Sequence, residues 1–116
     1  MGSFVNSMAI SSIRIFPTVH CYCPLGSSHY TGNLEITFKP NRVIPDYCEI
    51  DNAVKGLEGQ SLVAEDLVAR VYDIAMAYEP KHLVVTVKVA DANHSTVIVT
   101  KELGFDPVAV VQVPVP

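Results

Sequence analysis

The sequence has no tryptophan, only 8 Lys and Arg against 12 Asp and Glu, and no long apolar run. Each shortage excludes something. A membrane span needs roughly 18–20 consecutive apolar residues, and nothing here approaches that. The formal net charge of −4 gives no basic footprint from which nucleic-acid binding could be read. The opening "MGSFVNSMAISS" lacks the basic and apolar regions of a secretory leader. A cytoplasmic protein with no membrane partner is therefore expected. Cysteine is scarce too: Cys21, Cys23 and Cys48 are an odd count, which argues against a disulfide framework. Cys21 and Cys23 cannot bridge each other along an extended strand, because alternate residues sit too far apart. In a reducing compartment such thiols are either packing or reagents.

What is present is one domain's worth of chain. At 116 residues with 49% apolar content it can build one core, and we read 1–116 as a single domain. Residues 1–8 are expected to be disordered or an added leader, and 105–116 to be an apolar C-terminal tail. "SSIRIF" alternates apolar and polar residues, as does "NLEITFKP", where Leu34, Ile36 and Phe38 share a face and Pro40 ends the run. A short helix fits "EIDNAVKG", stopped by Gly56. A longer one fits "SLVAEDLVARVYDIAMAYEP", with Ala64, Leu67, Val68, Val71, Ile74, Ala75 and Tyr78 as its apolar stripe, Ser61 as N-cap and Pro80 as terminator. "HLVVTVKVA" and "STVIVTKEL" read as strands around the turn "DANH". The order strand-strand-helix-helix-strand-strand predicts an α+β architecture: an antiparallel four-stranded sheet with two helices on one face. Its other face carries apolar residues as well, and its edges are unpaired, so association of several copies is expected.

The chemistry concentrates in "HCYCPLGSSHY". Cys23-Pro24 ends a strand where a loop begins, and Gly26, Ser27 and Ser28 would let a flat ligand approach main-chain amides. A thiol there can be a nucleophile if its pKa is lowered, with His20 and His29 as the neighbours in sequence; otherwise it is buried filler. Zinc is a second possibility, since Cys-x-Cys with flanking His supplies donors, though not at finger or ribbon spacing. Glu65, at the head of the long helix, either complements the helix dipole or accepts two hydrogen bonds from an amidine-like edge such as a guanine N1–H and 2-amino group. His94 lies in the hairpin turn, as a solvated residue or a substrate contact. Asp46, in "VIPDY", reads as a turn residue.

Two motifs together resemble a known family. "AEDLVARVYDIA" is similar to the helix start of tunnelling-fold (T-fold) enzymes acting on purines and pterins, in which a glutamate, matched by Glu65, anchors the heterocycle. "CPLGSSHYTGNLEITFKP" resembles the framework of the QueF nitrile reductases: cysteine-proline, a small-residue loop, then a strand ending in aromatic-x-proline. The reductase's acidic residue is replaced by Tyr30, and its NADPH motif has no counterpart in "CEIDNAVKGLEG". The closer resemblance is thus to archaeal QueF-like archaeosine synthases. It implies a T-fold, no cofactor and no metal, and a homo-oligomer of ring or stacked-ring form. The implied activity is amidino transfer from ammonia to the nitrile of 7-cyano-7-deazaguanine carried in tRNA. The motif favours Cys23 over Cys21 as the sulfur forming the thioimide. His29, backed by Asp46, is the expected acid, and Glu65, Ser27, Ser28 and His94 the expected substrate contacts. Two alternatives stand beside this. One is a zinc-dependent 6-pyruvoyltetrahydropterin synthase-like enzyme, although "GSSHY" lacks that branch's His-Gly-His pair; the other is a non-catalytic T-fold binding subunit.

Overall fold

The structure, a computed structural model, describes residues 3–104; the expected apolar tail at 105–116 lies outside them. The centre of the fold is one long strand, β4 (Ser28–Lys39), against which the rest of the sheet is laid. Its first half pairs antiparallel with β3 (Thr18–Cys23), and its second half with β2 (Ile13–Ile15). On its other side lies β6 (His82–Val89), which pairs in turn with β7 (Val97–Glu102). All these pairings are antiparallel, and α1 (Tyr47–Lys55) and α2 (Ala64–Met76) complete the α+β fold. The expected first strand is split, so the sheet has five strands in four positions. Pro17 separates β2 from β3 because it has no N–H to donate, while its carbonyl still accepts from Leu34 N at 2.9 Å.

Period-two alternation sorts the side chains. Val19, Cys21 and Cys23 of β3, Tyr30, Leu34, Ile36 and Phe38 of β4, and Leu83, Val85 and Val87 of β6 face the helices and are buried. Leu67, Val68, Val71 and Ala75 of α2 fill the facing layer, close to the predicted stripe. Each such Leu, Ile or Phe contributes about 1.5–3 kcal/mol by leaving water. Gly32 makes the close approach possible, since a Cβ there would lie 2.7 Å from Leu67 Cδ2 and 3.4 Å from Val87 Cγ2. The open face is mixed: Glu35, Thr37, Thr86 and Thr100 lie there beside the apolar Val84 and Ile98, and the Phe16 ring lies under Arg14.

Three further local expectations are corrected. Ser3–Val5, within the segment expected to be disordered or foreign to the fold, forms β1 and pairs with β5 (Val43–Pro45) in a separate two-stranded sheet. Helix α1 starts earlier than expected because the Asp46 carboxylate accepts from Cys48 N and Glu49 N, at 2.9 and 3.2 Å. Ser61 does not cap α2. The N-cap is Val63, without a side-chain bond, because Ser61 is drawn into a parallel bridge with Tyr22.

That bridge belongs to a longer seam along the outer edge of β3. Gly59 N donates to His20 O, Tyr22 N to Gln60 O, and Leu62 N to Tyr22 O, at 2.8–3.0 Å. His20 N is received by both oxygens of Glu58, at 3.2 Å each. Backbone donation from His20 therefore holds the Glu58 carboxyl below its ordinary 4.5.

Gly32→Ala should cost about 1–3 kcal/mol, because the buried Leu67 cannot retreat; a lower denaturation midpoint at unchanged slope is the expected result. Glu58 contributes stability that is complete above its ordinary pKa and lost as pH falls through the lowered one. Melting temperature should accordingly drop less for Glu58→Gln than for the native chain between about pH 6 and about pH 3.

Candidate functional site

Where β3 ends and α2 begins, a cleft of about 550 Å³ opens. Cys23, Gly26, Glu65 and His94 line it, with Leu25, Val63 and Val97 as apolar wall. Three separate stretches of sequence thus converge. The seam on β3 delivers the start of α2, and with it Glu65, to the strand end that carries Cys23. The β6–β7 turn is brought in by the β3–β4 hairpin. Thr31 donates to Asp91 through its backbone N at 2.8 Å and its hydroxyl at 2.7 Å, and Asn93 N donates to Ser28 Oγ at 3.4 Å. Those donations, the backbone one first, hold the Asp91 carboxyl below its usual 3.8.

Around Gly26 the side chains crowd in. A Cβ on that residue would lie 3.6 Å from Ser28 Oγ, 3.7 Å from Cys23 Sγ and 3.9 Å from His94 Cδ2. Gly26 N also donates to Cys23 Sγ at 3.4 Å.

The two neighbouring cysteines differ sharply. Cys23, 7% exposed, borders the cleft, whereas Cys21, 1% exposed, does not, and its Sγ donates to Leu57 O at 3.6 Å. Burial pushes the Cys21 thiol up, against a smaller lowering by Tyr30. Cys21 is packing. Both sulfurs point to the helix side because they sit two residues apart on one strand.

The same alternation removes the expected acid. Tyr22 pairs with His29, and their rings meet edge-on at 5.2 Å on the face opposite Cys21 and Cys23. His29 therefore lies across the sheet from the thiol, not beside it. Asp46 does not back it: this carboxylate caps α1 and borders a different depression with Phe4 and Tyr47. His20, on the His29 face as well, is engaged by Glu58, with Nδ1 and Oε1 2.8 Å apart. Ser28 stands at the cleft margin, holding Asn93; Ser27 is an exposed turn residue with φ +50° and does not line the cleft. Tyr30, in the place of the reductase's acid, is buried, and its hydroxyl donates to Leu62 O at 2.5 Å. Burial, reinforced by the nearby Cys21, pushes its pKa well above the usual tyrosine value. Tyr30 thereby pins the segment entering α2, a role no local motif signals.

No family model and no curated protein matches the chain. Among solved structures it is similar to the crystal structure of the archaeosine synthase QueF-Like in the apo form. The TM-score is 0.76 at 21% identity, covering 84% of this chain and 98% of that one. The two share one fold. The α+β T-fold architecture expected from the sequence is therefore the architecture of the archaeosine synthase QueF-Like. Among the described residues, no three His, Cys, Asp or Glu side chains converge as a metal-ligand set. The zinc alternative thus finds no donor set within the described part of one chain. No helix among those residues is long and apolar enough to cross a membrane.

Iodoacetamide applied to the native protein should label Cys23 and the exposed Cys48 while sparing Cys21, with all three labelled in denaturant; peptide mapping reads the outcome. Gly26→Ala meets only ordinary contact distances, so it should fold normally and yet slow labelling of Cys23, because its methyl fills the space in front of the sulfur.

Proposed function

We propose that this chain is an amidinotransferase of the archaeosine synthase type, acting on 7-cyano-7-deazaguanine in tRNA. The observation that carries the reading is that one cleft, in this fold, holds both the Cys23 thiol and the Glu65 carboxylate. A carboxylate at a helix start can accept the N1–H and 2-amino hydrogens of a guanine-like ring side by side, a directional, charge-assisted pair. The ring held so, its nitrile is offered to sulfur. Cys23 adds to the nitrile carbon to give a thioimide; ammonia then attacks that carbon, and the thiol leaves a formamidine. A nitrile is a poor electrophile for ammonia in water, and the covalent intermediate divides the difficult step in two. No hydride is needed, consistent with the missing NADPH motif.

The tRNA partner is supported by a group of cations remote from the cleft. Lys39 and Lys81 line a shallow groove with Asn6 and His82, and Arg42 adjoins it, its carbonyl accepting from Asn6 N at 2.8 Å. Among the described residues no ion pair engages Lys39, Arg42 or Lys81, whereas Arg14 is paired with Glu35 at 3.0 Å. The groove lies at the far end of β4, about 35 Å from the thiol at the ~3.3 Å rise of a strand residue. A molecule with phosphates spread over several nanometres can reach both. Outer strand β7 has a free edge among the described residues, which suits pairing with a second copy in a homo-oligomer.

Incubation with 7-cyano-7-deazaguanine, without reductant, should add the intact ligand mass to one cysteine. Peptide mapping should place the adduct on Cys23, and it should survive Cys21→Ala but not Cys23→Ala. Glu65→Gln should weaken binding of the base by about 10–100-fold, the loss of a charged hydrogen-bond acceptor. An unmodified protein after long incubation rules out the covalent reading.

A further inference from the structure

Resting on that functional reading, we infer that His94 is the proton carrier of the cleft, serving thiol addition. His94 Nδ1 lies 2.7 Å from Ser95 O. A carbonyl only accepts, so Nδ1 carries the hydrogen, and in the neutral ring Nε2 holds the lone pair. Nε2 is bonded to Cδ2, the His94 atom that approaches Gly26. Cys23 Sγ and His94 Cδ2 both lie within 4 Å of the point a Gly26 Cβ would occupy. The Cδ2 side of the ring, to which Nε2 is bonded, thus borders the same space beside Gly26 as the sulfur.

The turn that carries His94 is fastened on two sides, by Asp91 to Thr31 and by Asn93 to Ser28. A histidine in an otherwise polar hairpin turn is thus held over the cleft. Competing groups are otherwise engaged. His29 is on the opposite sheet face, the Tyr30 hydroxyl is committed to Leu62 O, and the Asp91 carboxylate is spent on Thr31. Glu65 is required by the ring of the ligand.

In the addition step the Cys23 S–H bond breaks and its proton passes to His94 Nε2. The sulfur pair forms the S–C bond, one π pair of the nitrile moves to nitrogen, and His94 returns the proton there. The products are a neutral thioimide and a neutral imidazole, with nothing oxidised or reduced. In the second half ammonia adds to the same carbon, the C–S bond breaks, and a proton from the added nitrogen reaches the departing sulfur by the same ring.

The test measures the rate of adduct formation with 7-cyano-7-deazaguanine by quenched-flow mass spectrometry in the native chain, His94→Gln and His94→Ala. Binding of the same base is measured by calorimetry on a Cys23→Ala background with and without the His94 changes. Loss of a positioned general acid-base group should slow addition about 100-fold or more. Affinity for the base should stay within about twofold, and added imidazole should restore part of the His94→Ala rate. Native-like addition in His94→Gln, or a rate loss matched by an equal loss of affinity, overturns the proton role. If the native chain forms no adduct while iodoacetamide still labels Cys23, the nitrile reading itself fails and this role falls with it.

Discussion

The arrangement depends above all on the main-chain seam between residues 59–62 and the outer edge of β3. Three backbone hydrogen bonds there do what a sheet neighbour would do. They satisfy an otherwise exposed strand edge and fix where the chain must be when it enters α2. Each is worth on the order of 1 kcal/mol net. Their larger consequence is geometric, because a carboxylate and a sulfur 42 positions apart in sequence come to border one cleft. Tyr30 adds a fourth tie from inside the core, its hydroxyl holding Leu62.

The seam also explains why the start of α2 is uncapped. Ser61 would supply a good cap oxygen, yet its backbone is engaged in the bridge to Tyr22, and the helix opens at Val63 instead. Val63, Ala64 and Glu65 at this helix start border the cleft. Edge satisfaction outweighs the ~1 kcal/mol that a serine cap ordinarily contributes.

A second constraint is the strict alternation of β3 and β4. It places Cys21 and Cys23 on the same face and sends His29 to the other, whatever their nearness along the chain. Position then separates the two buried thiols: Cys21 lies among Tyr30 and the Leu57 carbonyl in the core, and Cys23 at the strand end, where it borders the cleft. The result is one sulfur enclosed by the core and one, also buried, at the wall of a cleft.

Strand and helix periodicity, the proline stops and the apolar stripe of α2 were legible in the sequence, because local spacing alone decides which face of an element is buried. The pairing of Cys23 with Glu65 was legible only through motif resemblance. The fate of His29 follows from alternation once the β3–β4 register is known, and nothing in "HCYCPLGSSHY" states that register. The edge role of "LEGQSL", the close approach at Gly32, the diversion of Asp46 to a helix cap and the anchoring of His94 by Asp91 and Ser28 were tertiary decisions. Each joins residues distant in sequence through hydrogen bonds or contacts of a few ångströms. No periodicity within a single segment encodes which distant backbone will be there to receive them.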